Sequence, residues 1–320
     1  MQTIQNGNLV SMRDVFGETL LQLSISDPRV YALDGDLANS TKLNLVAEKN
    51  ASKFLQMGIA EQNMIGAAAG LATVGLQPWA CSFAAFIAKR SLDQIQVTVA
   101  QPKLDVKLIG AYSGLLTGCT GKTHQALEDI AIMRSLANMV VLAPADASEV
   151  QHVMRFAHEH TGPVYIRLAR DPLPVVMPQD YSFTLGKAVE LKQGSDVTLI
   201  GTGTQTVRAW EAADLLEQEG ISAAVLHMPS IKPIDRDAII DAAKQTGALV
   251  TCEEHSIYGG LGSAVAEVLV EHCPVPMLRV GVNDKNSESG PNDALLQKYE
   301  ISTGHIVKRA KEVLRIKAGK

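Results

Sequence analysis

Short runs rich in Val, Ile and Leu alternate along the chain with segments whose apolar residues recur at helical spacing. Five such runs come first, each followed by a helical segment: VYALDGD, QPWACSF, DVKLIGAY, MVVLAPAD and PVYIRLA. Parallel strands are buried on both faces and need crossover helices, so this alternation is typical of a parallel sheet covered by helices. The sequence therefore predicts an α/β fold.

The alternation is interrupted once, which predicts two domains. A proline-rich stretch, DPLPVVMPQDYSFTLG, follows the fifth run, and the pattern then restarts with DVTLIGTGT, SAAVLHMP, ALVTCEE and PMLRVGV. Domain boundaries fall in such irregular stretches, and 320 residues suffice for two domains of about 100–200 residues each. We predict parallel-sheet domains over residues 1–183 and 184–320, a boundary near Phe183 and a linker over residues 171–185.

Composition excludes several classes of protein. The net charge is −5 with no basic cluster and aromatics are 4% of residues, which argues against nucleic-acid binding. No secretory signal precedes the first run. The most apolar stretch, residues 64–88, is broken at Gly75, Gln77 and Pro78, whereas a membrane span needs about 20 unbroken apolar residues. We predict a buried helix followed by a buried strand there, and a cytoplasmic protein without nucleic-acid or membrane partners.

Polar clusters stand where several of the predicted strands end: LDGDLANS, SFAAF, GAYSGLLTGCTGKTHQ and RLARDPLP. Ligands of open parallel sheets bind beyond the carboxyl ends of the strands. The clusters are therefore expected to form a single site.

The segment QMGIAEQNMIGAAAGLATVG resembles a helix of thiamine diphosphate enzymes of the transketolase and 2-oxoacid dehydrogenase group. The resemblance implies that Glu61 is catalytic and hydrogen-bonds the aminopyrimidine ring of the cofactor. A carboxyl group that donates to the ring nitrogen stabilises the imino tautomer, which makes the exocyclic amine a base for the thiazolium proton. Taken alone, an acid at the start of a helix is more often a partner of the helix dipole.

The segment CSFAAFIAKRSLDQI resembles the stretch that forms the aromatic pocket around the pyrimidine. Phe83 and Phe86 match its stacking positions, and Lys89 stands where transketolases often have a third aromatic residue. Core phenylalanines at helical spacing are the alternative interpretation. Asp36 matches an acidic residue close to the thiazolium, although an ordinary turn aspartate is equally consistent with the sequence.

The stretch GAYSGLLTGCTGKTHQALEDIAIMRSLANMVVLAPAD resembles the part of transketolases that reaches the sugar. His124 matches a histidine near the reacting carbonyl, where a donor stabilises developing oxyanion charge. Two expected substrate-binding positions depart from the family pattern: Thr120 replaces a usual aspartate, and Tyr112 replaces a usual histidine. These departures put the usual pentose phosphates in doubt, and an unusual sugar phosphate is equally plausible.

Arg13, Ser40 and Arg170 match the sugar-phosphate end of the same family's site. Two guanidinium groups and a hydroxyl suit a phosphate, because arginine binds phosphate oxygens in a bidentate manner. The resemblance therefore implies a sugar phosphate substrate.

The motif that holds Mg²⁺ and the diphosphate, Gly-Asp-Gly followed by a later asparagine, is missing, and we assign no metal site to this chain. The resemblance spans residues 12–315 and matches only the last two of the three transketolase domains. It implies the C-terminal subunit of a split transketolase that holds the pyrimidine end of thiamine diphosphate. An N-terminal diphosphate-binding subunit would hold Mg²⁺ in an α2β2 assembly. We assign no role to Glu253 or Glu254.

Two alternatives stay open. The chain has the size and pyrimidine site of the β subunit of a pyruvate dehydrogenase-type complex, although THQALEDIAIMRSL and the basic residues favour transketolase. A non-catalytic scaffolding or regulatory paralogue is the other. Against it, an unpaired buried carboxyl such as Glu61 would be lost early once catalysis had ceased, because it destabilises the fold.

Overall fold

The structure, a computed structural model, describes residues 9–319 as two mostly parallel sheets covered by helices. The predicted α/β fold is confirmed. The strands are β1 (Val30–Asp34), β2 (Phe54–Gln56), β3 (Gln77–Phe83), β4 (Lys107–Ala111), β5 (Val140–Leu142), β6 (Val164–Arg167), β7 (Val189–Lys192), β8 (Val197–Gly201), β9 (Ala223–His227), β10 (Ser230–Lys232), β11 (Leu249–Ser256) and β12 (Met277–Val282). Each of the nine predicted runs contains a complete strand or most of a strand.

The helices are α1 (Met12–Ser26), α2 (Ala38–Thr41), α3 (Asn44–Lys49), α4 (Glu61–Thr73), α5 (Ala84–Arg90), α6 (Leu92–Gln94), α7 (Asp129–Ser135), α8 (Ala147–Glu159), α9 (Gln205–Gln218), α10 (Arg236–Thr246), α11 (Leu261–His272), α12 (Asn292–Lys298) and α13 (Thr303–Lys317). The apolar stretch over residues 64–88 forms most of α4, the buried strand β3 and part of α5, so the predicted helix and strand are confirmed. No helix of the described residues is both long and apolar enough to cross a membrane.

The first sheet has the strand order β10-β5-β6-β4-β3-β1-β2. Strands β6, β4, β3 and β1 are parallel neighbours, so their carboxyl ends meet at one edge. Strand β10 comes from the second half of the chain and pairs antiparallel with β5, an arrangement that the sequence did not predict. The second sheet has the order β12-β11-β8-β9-β7, with β7 antiparallel at its edge.

Apolar packing joins the two halves of the chain. One face of the first sheet packs on α1 and α8 through buried residues such as Phe16 and Met154. On the opposite face, Leu33 and Tyr165 belong to the same buried cluster as Ile200 and Leu261, which lie in the second half. The predicted linker, between β6 and β7, is free of regular strands and helices. The domain limits stay a prediction, and residues 1–8 of the predicted first domain lie outside the described range.

Candidate active site

The predicted site residues lie mainly where β1, β3, β4 and β6 end. Phe83 ends β3, Tyr112 follows β4, and Arg170 lies three residues after β6. Arg13 enters the same edge from α1. Ser11 caps the start of this helix, because its side-chain oxygen accepts from the amide of Asp14 at 3.4 Å.

Glu61 is the first residue of α4, and it is 3% exposed. Its carboxylate accepts hydrogen bonds from the Ser82 hydroxyl at 3.2 Å and from Nη1 of Arg90, which lies 3.0 and 3.1 Å from the two oxygens. Buried carboxylates are stable only when paired. Arg90, whose side chain is 46% exposed, therefore supplies the charge that this position needs in the isolated chain.

Two phenylalanines lie beside this ion pair. The ring centroids of Phe83 and Phe86 are 5.6 Å apart, and the guanidinium carbon of Arg90 lies 3.9 Å from the centroid of Phe86. One planar guanidinium thus contacts both the Glu61 carboxylate and the ring of Phe86. Arg90 is absent from the predicted site, because a basic residue in the last turn of a helix is common and complements the helix dipole.

Tyr112 connects the aromatic residues to the basic ones. Its ring stacks on Phe83 with centroids 4.1 Å apart and planes at 24°. Its φ of +53° is in the left-handed region, which costs a bulky residue about 1–3 kcal/mol and is found most often at functional sites. The tertiary contacts of this ring hold the backbone in that conformation.

The side chain of Arg13 contacts the three other residues predicted for the phosphate end. It donates to the Arg170 carbonyl at 3.0 Å, the Ser40 carbonyl at 2.6 Å and the Tyr112 hydroxyl at 3.0 Å. Ser40 thus takes part through its main chain in this contact. The predicted residues Arg13, Ser40, Tyr112 and Arg170 form one cluster.

Arg170 also lies near Tyr112, with its guanidinium carbon 5.6 Å from the ring centroid, and the guanidinium carbon of Arg13 is 5.0 Å from the same centroid. Arg170 donates to Asp171 at 2.8 Å and remains 42% exposed. Partial burial would lower the pKa of Arg170, but hydrogen bonding to Tyr112 and the charge of Asp171 hold it above its ordinary value. Arg13 and Arg170 thus both lie close to the Tyr112 ring.

His124 packs edge-on against both phenylalanines, with centroid distances of 5.8 Å to Phe83 and 5.1 Å to Phe86. Its Nδ1 lies 2.9 Å from the hydroxyl of Thr123. Thr120 is exposed in a short turn, where its hydroxyl donates to Thr117. His124 therefore lies among the aromatic residues of the site, whereas the side-chain hydrogen bonds of Thr120 are to Thr117.

Asp36 makes none of the contacts that join the other residues. It is exposed with φ +65°, and its amide donates to the side chain of Gln56 at 3.1 Å. The buried acid at this turn is Asp34, which accepts from Gln56 and from the amides of Leu37 and Ala38. Burial raises the pKa of Asp34 despite these bonds. Asp34 fixes the turn that leads to Ser40, a role that was not predicted from the sequence.

The described residues offer no metal centre. Among residues 9–319, no three His, Cys, Asp or Glu side chains are grouped so that they could hold a metal ion. Lys89, at the position of the third family aromatic, pairs with Glu128 at 2.8 Å on the surface.

Two family profiles match the chain: the transketolase pyrimidine-binding domain over residues 8–175 and the transketolase C-terminal domain over residues 186–306. The chain is 41% identical over 302 residues to the 6-deoxy-6-sulfo-D-fructose transketolase subunit SqwH of Clostridium sp., covering 94% of each chain. It is 37% identical over 309 residues to an apulose-4-phosphate transketolase subunit of Phocaeicola vulgatus, covering 96% of this chain and 99% of that one.

Longer relatives match over part of their length. The 1-deoxy-D-xylulose-5-phosphate synthase of Heliobacterium modesticaldum is 36% identical over 304 residues, which cover 93% of this chain and 46% of that protein.

Among solved structures, a split-gene transketolase in the form of an inactive β4 tetramer superposes with a TM-score of 0.88 at 44% identity, covering 97% of this chain and 100% of that one. The transketolase of Campylobacter jejuni superposes with a TM-score of 0.81 at 21% identity, covering 97% and 48%, a likeness of fold alone. These profiles and identities extend over nearly the whole chain, which therefore belongs to the thiamine diphosphate-dependent transketolase family.

Proposed function

We propose that this chain is the pyrimidine-binding subunit of a split transketolase. The enzyme would transfer a two-carbon ketol unit from a phosphorylated ketose to an aldose acceptor. A separate N-terminal subunit would hold the diphosphate and Mg²⁺ in an α2β2 assembly. The observation that carries the proposal is the stack of Tyr112 on Phe83, because it joins the Glu61 and His124 side of the site to Arg13 and Arg170.

The contacts of Arg90 test whether the pyrimidine fits this site. Its guanidinium is planar and carries N–H donors, and it lies on the face of Phe86 while it hydrogen-bonds both oxygens of Glu61. An aminopyrimidine ring is also planar, and its ring nitrogen accepts a hydrogen bond from a carboxyl group that carries a proton, so Glu61 and the ring of Phe86 suit it. Cofactor binding then requires the half-exposed Arg90 side chain to move aside.

The residues of this chain have separate roles in the proposed reaction. The chemistry that the cofactor supplies is a nucleophilic thiazolium carbon, which side chains do not provide. Glu61 would hold a proton against the pyrimidine nitrogen, and Phe83 and Phe86 would keep the ring in place and exclude water. His124, packed on both rings, would donate to the oxygen of the substrate carbonyl as negative charge develops there.

The substrate's anionic end is proposed to bind between Arg13 and Arg170. Guanidinium groups bind phosphate in a bidentate manner, and both guanidinium carbons lie within 5.6 Å of the centroid of the Tyr112 ring. The names of two relatives, an apulose-4-phosphate transketolase subunit and a 6-deoxy-6-sulfo-D-fructose transketolase subunit, support a sugar with a terminal anionic group. Mg²⁺ needs oxygen ligands, and we propose that the partner subunit supplies them.

The first experiment measures binding of thiamine diphosphate with Mg²⁺ by calorimetry, to this chain alone and after mixing it with its candidate partner. Tight binding in the mixture alone is the expected result. The mixture is then assayed with a ketose phosphate and, separately, with a 2-oxoacid donor, which would reveal a dehydrogenase-type β subunit. Absence of binding in both samples would contradict the proposal and favour a non-catalytic paralogue.

Glu61→Gln tests the assignment of the carboxyl. It should leave the assembly intact and lower kcat by about 10²–10⁴-fold, the range typical of a lost acid–base group. Glu271→Gln, at an acid that is 71% exposed on α11, is the matched control and should keep wild-type turnover. Near-normal turnover in Glu61→Gln would remove Glu61 from the mechanism.

A further inference from the structure

The loop that carries Thr120 and His124 has closed ends. We define the substrate loop as residues 113–126, between β4 and α7. The amide of Gly114 donates to the Ala126 carbonyl at 2.9 Å, and the amide of Ala126 donates back at 3.2 Å. The position of His124 therefore depends on what holds this closed loop against the rest of the molecule.

Glu254 holds the start of the substrate loop from the second half of the chain. It lies in β11 and is 1% exposed. Its Oε1 accepts from the amides of Leu115 at 2.6 Å and Leu116 at 2.8 Å, while Oε2 accepts from the hydroxyl of Thr204 at 2.5 Å. A carboxylate with two main-chain donors fixes the position and direction of the segment that supplies them.

The backbone at this contact is shaped for a close approach. Gly114 has φ +79°, and a Cβ atom there would come within 2.2 Å of Oε1 of Glu254. Leu115 and Leu116 are buried in the apolar cluster of the second sheet, together with Val250 and Val282. The loop is thus packed and hydrogen-bonded to the second half, rather than to its own sheet alone.

A second contact reaches the residue next to His124. Gln125 is 2% exposed, and its side-chain amide donates to the Leu115 carbonyl at 3.0 Å and to the Glu288 carbonyl at 3.2 Å. Gln125 therefore links His124 to the segment that Glu254 holds, and to a second part of the other half.

We propose that Glu254 is a positioning residue, which acts through the substrate loop to keep His124 against Phe83 and Phe86. This inference rests on the proposed function and specifies how the second half of the chain takes part in it. Burying a carboxylate is unfavourable unless its hydrogen bonds offset the loss of solvation. An apolar residue at this position would therefore stabilise the fold equally well. The neighbouring Glu253 differs, because its carboxylate accepts from Leu261 and Gly262 at the start of α11 and not from the loop.

The test is a double-mutant cycle in the complete two-subunit enzyme, with Glu254→Ala, His124→Ala and the double variant. His124→Ala should lower kcat by about 10²–10³-fold. Glu254→Ala should lower it by up to about 10²-fold, the order of a misplaced catalytic group. Because Glu254 acts through His124, the kcat of the double variant should match that of His124→Ala within about threefold. The Kd for thiamine diphosphate should change by less than about twofold.

Glu254→Gln keeps an oxygen for the two amides and should recover most of the lost activity. Glu253→Gln is the control and should keep wild-type turnover. If Glu254→Ala does not assemble, Gly114→Ala disturbs the same contact from the loop side, and its cycle with His124→Ala is interpreted in the same way. If the losses in kcat multiply in the double variant, Glu254 does not act through His124, and the proposed function is unaffected. If the wild-type enzyme binds cofactor but does not turn over ketose phosphates, both this inference and the proposed function are wrong.

Discussion

At the residue scale, the two guanidinium groups around Tyr112 differ in what they do. Arg13 is largely occupied with protein acceptors, namely the carbonyls of Ser40 and Arg170 and the hydroxyl of Tyr112. Arg170 has a side chain that is 42% exposed and one carboxylate partner, Asp171. Arg13 therefore shapes the cluster, and Arg170 has more donors left for a ligand.

We expect Arg170→Ala to raise the KM for a phosphorylated ketose by at least about tenfold, because a charge-assisted hydrogen bond contributes about 1.5–3 kcal/mol. The KM for the unphosphorylated analogue should change much less. Steady-state kinetics with both sugars measure this difference. Arg309→Ala, which removes an exposed ion pair on α13, is the control. Equal increases for the two sugars would show that Arg170 does not bind the phosphate.

At the scale of elements, α1 positions Arg13 through a close approach to the segment after α2. A Cβ atom on Gly17 would come within 2.6 Å of the Lys42 Cβ and 2.7 Å of its carbonyl oxygen. The contact involves backbone, so it cannot be relieved by a side-chain rotation. Glycine is unfavourable inside a helix by about 0.5–1 kcal/mol relative to alanine, and the packing of α1 explains its presence there.

Gly17→Ala should therefore destabilise the chain by about 1–3 kcal/mol, since overpacking outweighs the gain in helix propensity. The measurement is urea unfolding of the isolated chain. Gly304→Ala on the exposed first turn of α13, where a Cβ atom meets no atom closer than 4.0 Å, should be neutral or slightly stabilising. A stabilised Gly17→Ala would mean that α1 can move away from Lys42 without loss.

At the scale of the whole molecule, buried polar groups join the two halves of the chain in addition to the apolar core. Glu149 at the start of α8 accepts from the Tyr181 hydroxyl at 2.6 Å and lies 2.8 Å from Nε2 of His227 in β9. One carboxylate thus connects the first half, the segment between the sheets and the second half.

Glu149 also gives stability a defined dependence on pH. Burial acts to raise the pKa of Glu149, but His227 and the hydrogen bonds from Tyr181 and Ala145 hold it below its ordinary value. A carboxyl whose pKa is lower in the folded state stabilises the fold above its unfolded pKa of about 4.3, and this contribution is lost as the pH falls through the folded pKa.

We expect Glu149→Gln to lower the free energy of unfolding by about 3 kcal/mol at pH 7. The difference from wild type should shrink as the pH falls below the unfolded pKa of about 4.3 and on through the lower folded pKa of Glu149. Urea unfolding of both proteins at a series of pH values measures it. A difference that stays constant as the pH falls through this range would show that ionised Glu149 is not the source of the stability.

Local patterns in the sequence were sufficient for much of this protein. Apolar runs and helical periods determine the strands and helices because each depends on neighbouring residues, and parallel strands necessarily gather the ends of β1, β3, β4 and β6 at one edge. The grouping of Arg13, Ser40, Tyr112 and Arg170 was expected from the family resemblance, and the contacts of Arg13 join these four residues in one cluster.

Contacts between distant segments could not be predicted from local patterns in the sequence. Strand β10 is three residues long and joins the first sheet from the second half, and Arg90 meets Glu61 across 29 positions of sequence. Glu254, for which no role was predicted, contacts the loop of His124 from 139 and 138 positions away. Such pairings leave no periodic pattern in the sequence, because burial and close approach arise only when segments that are distant in the sequence pack together.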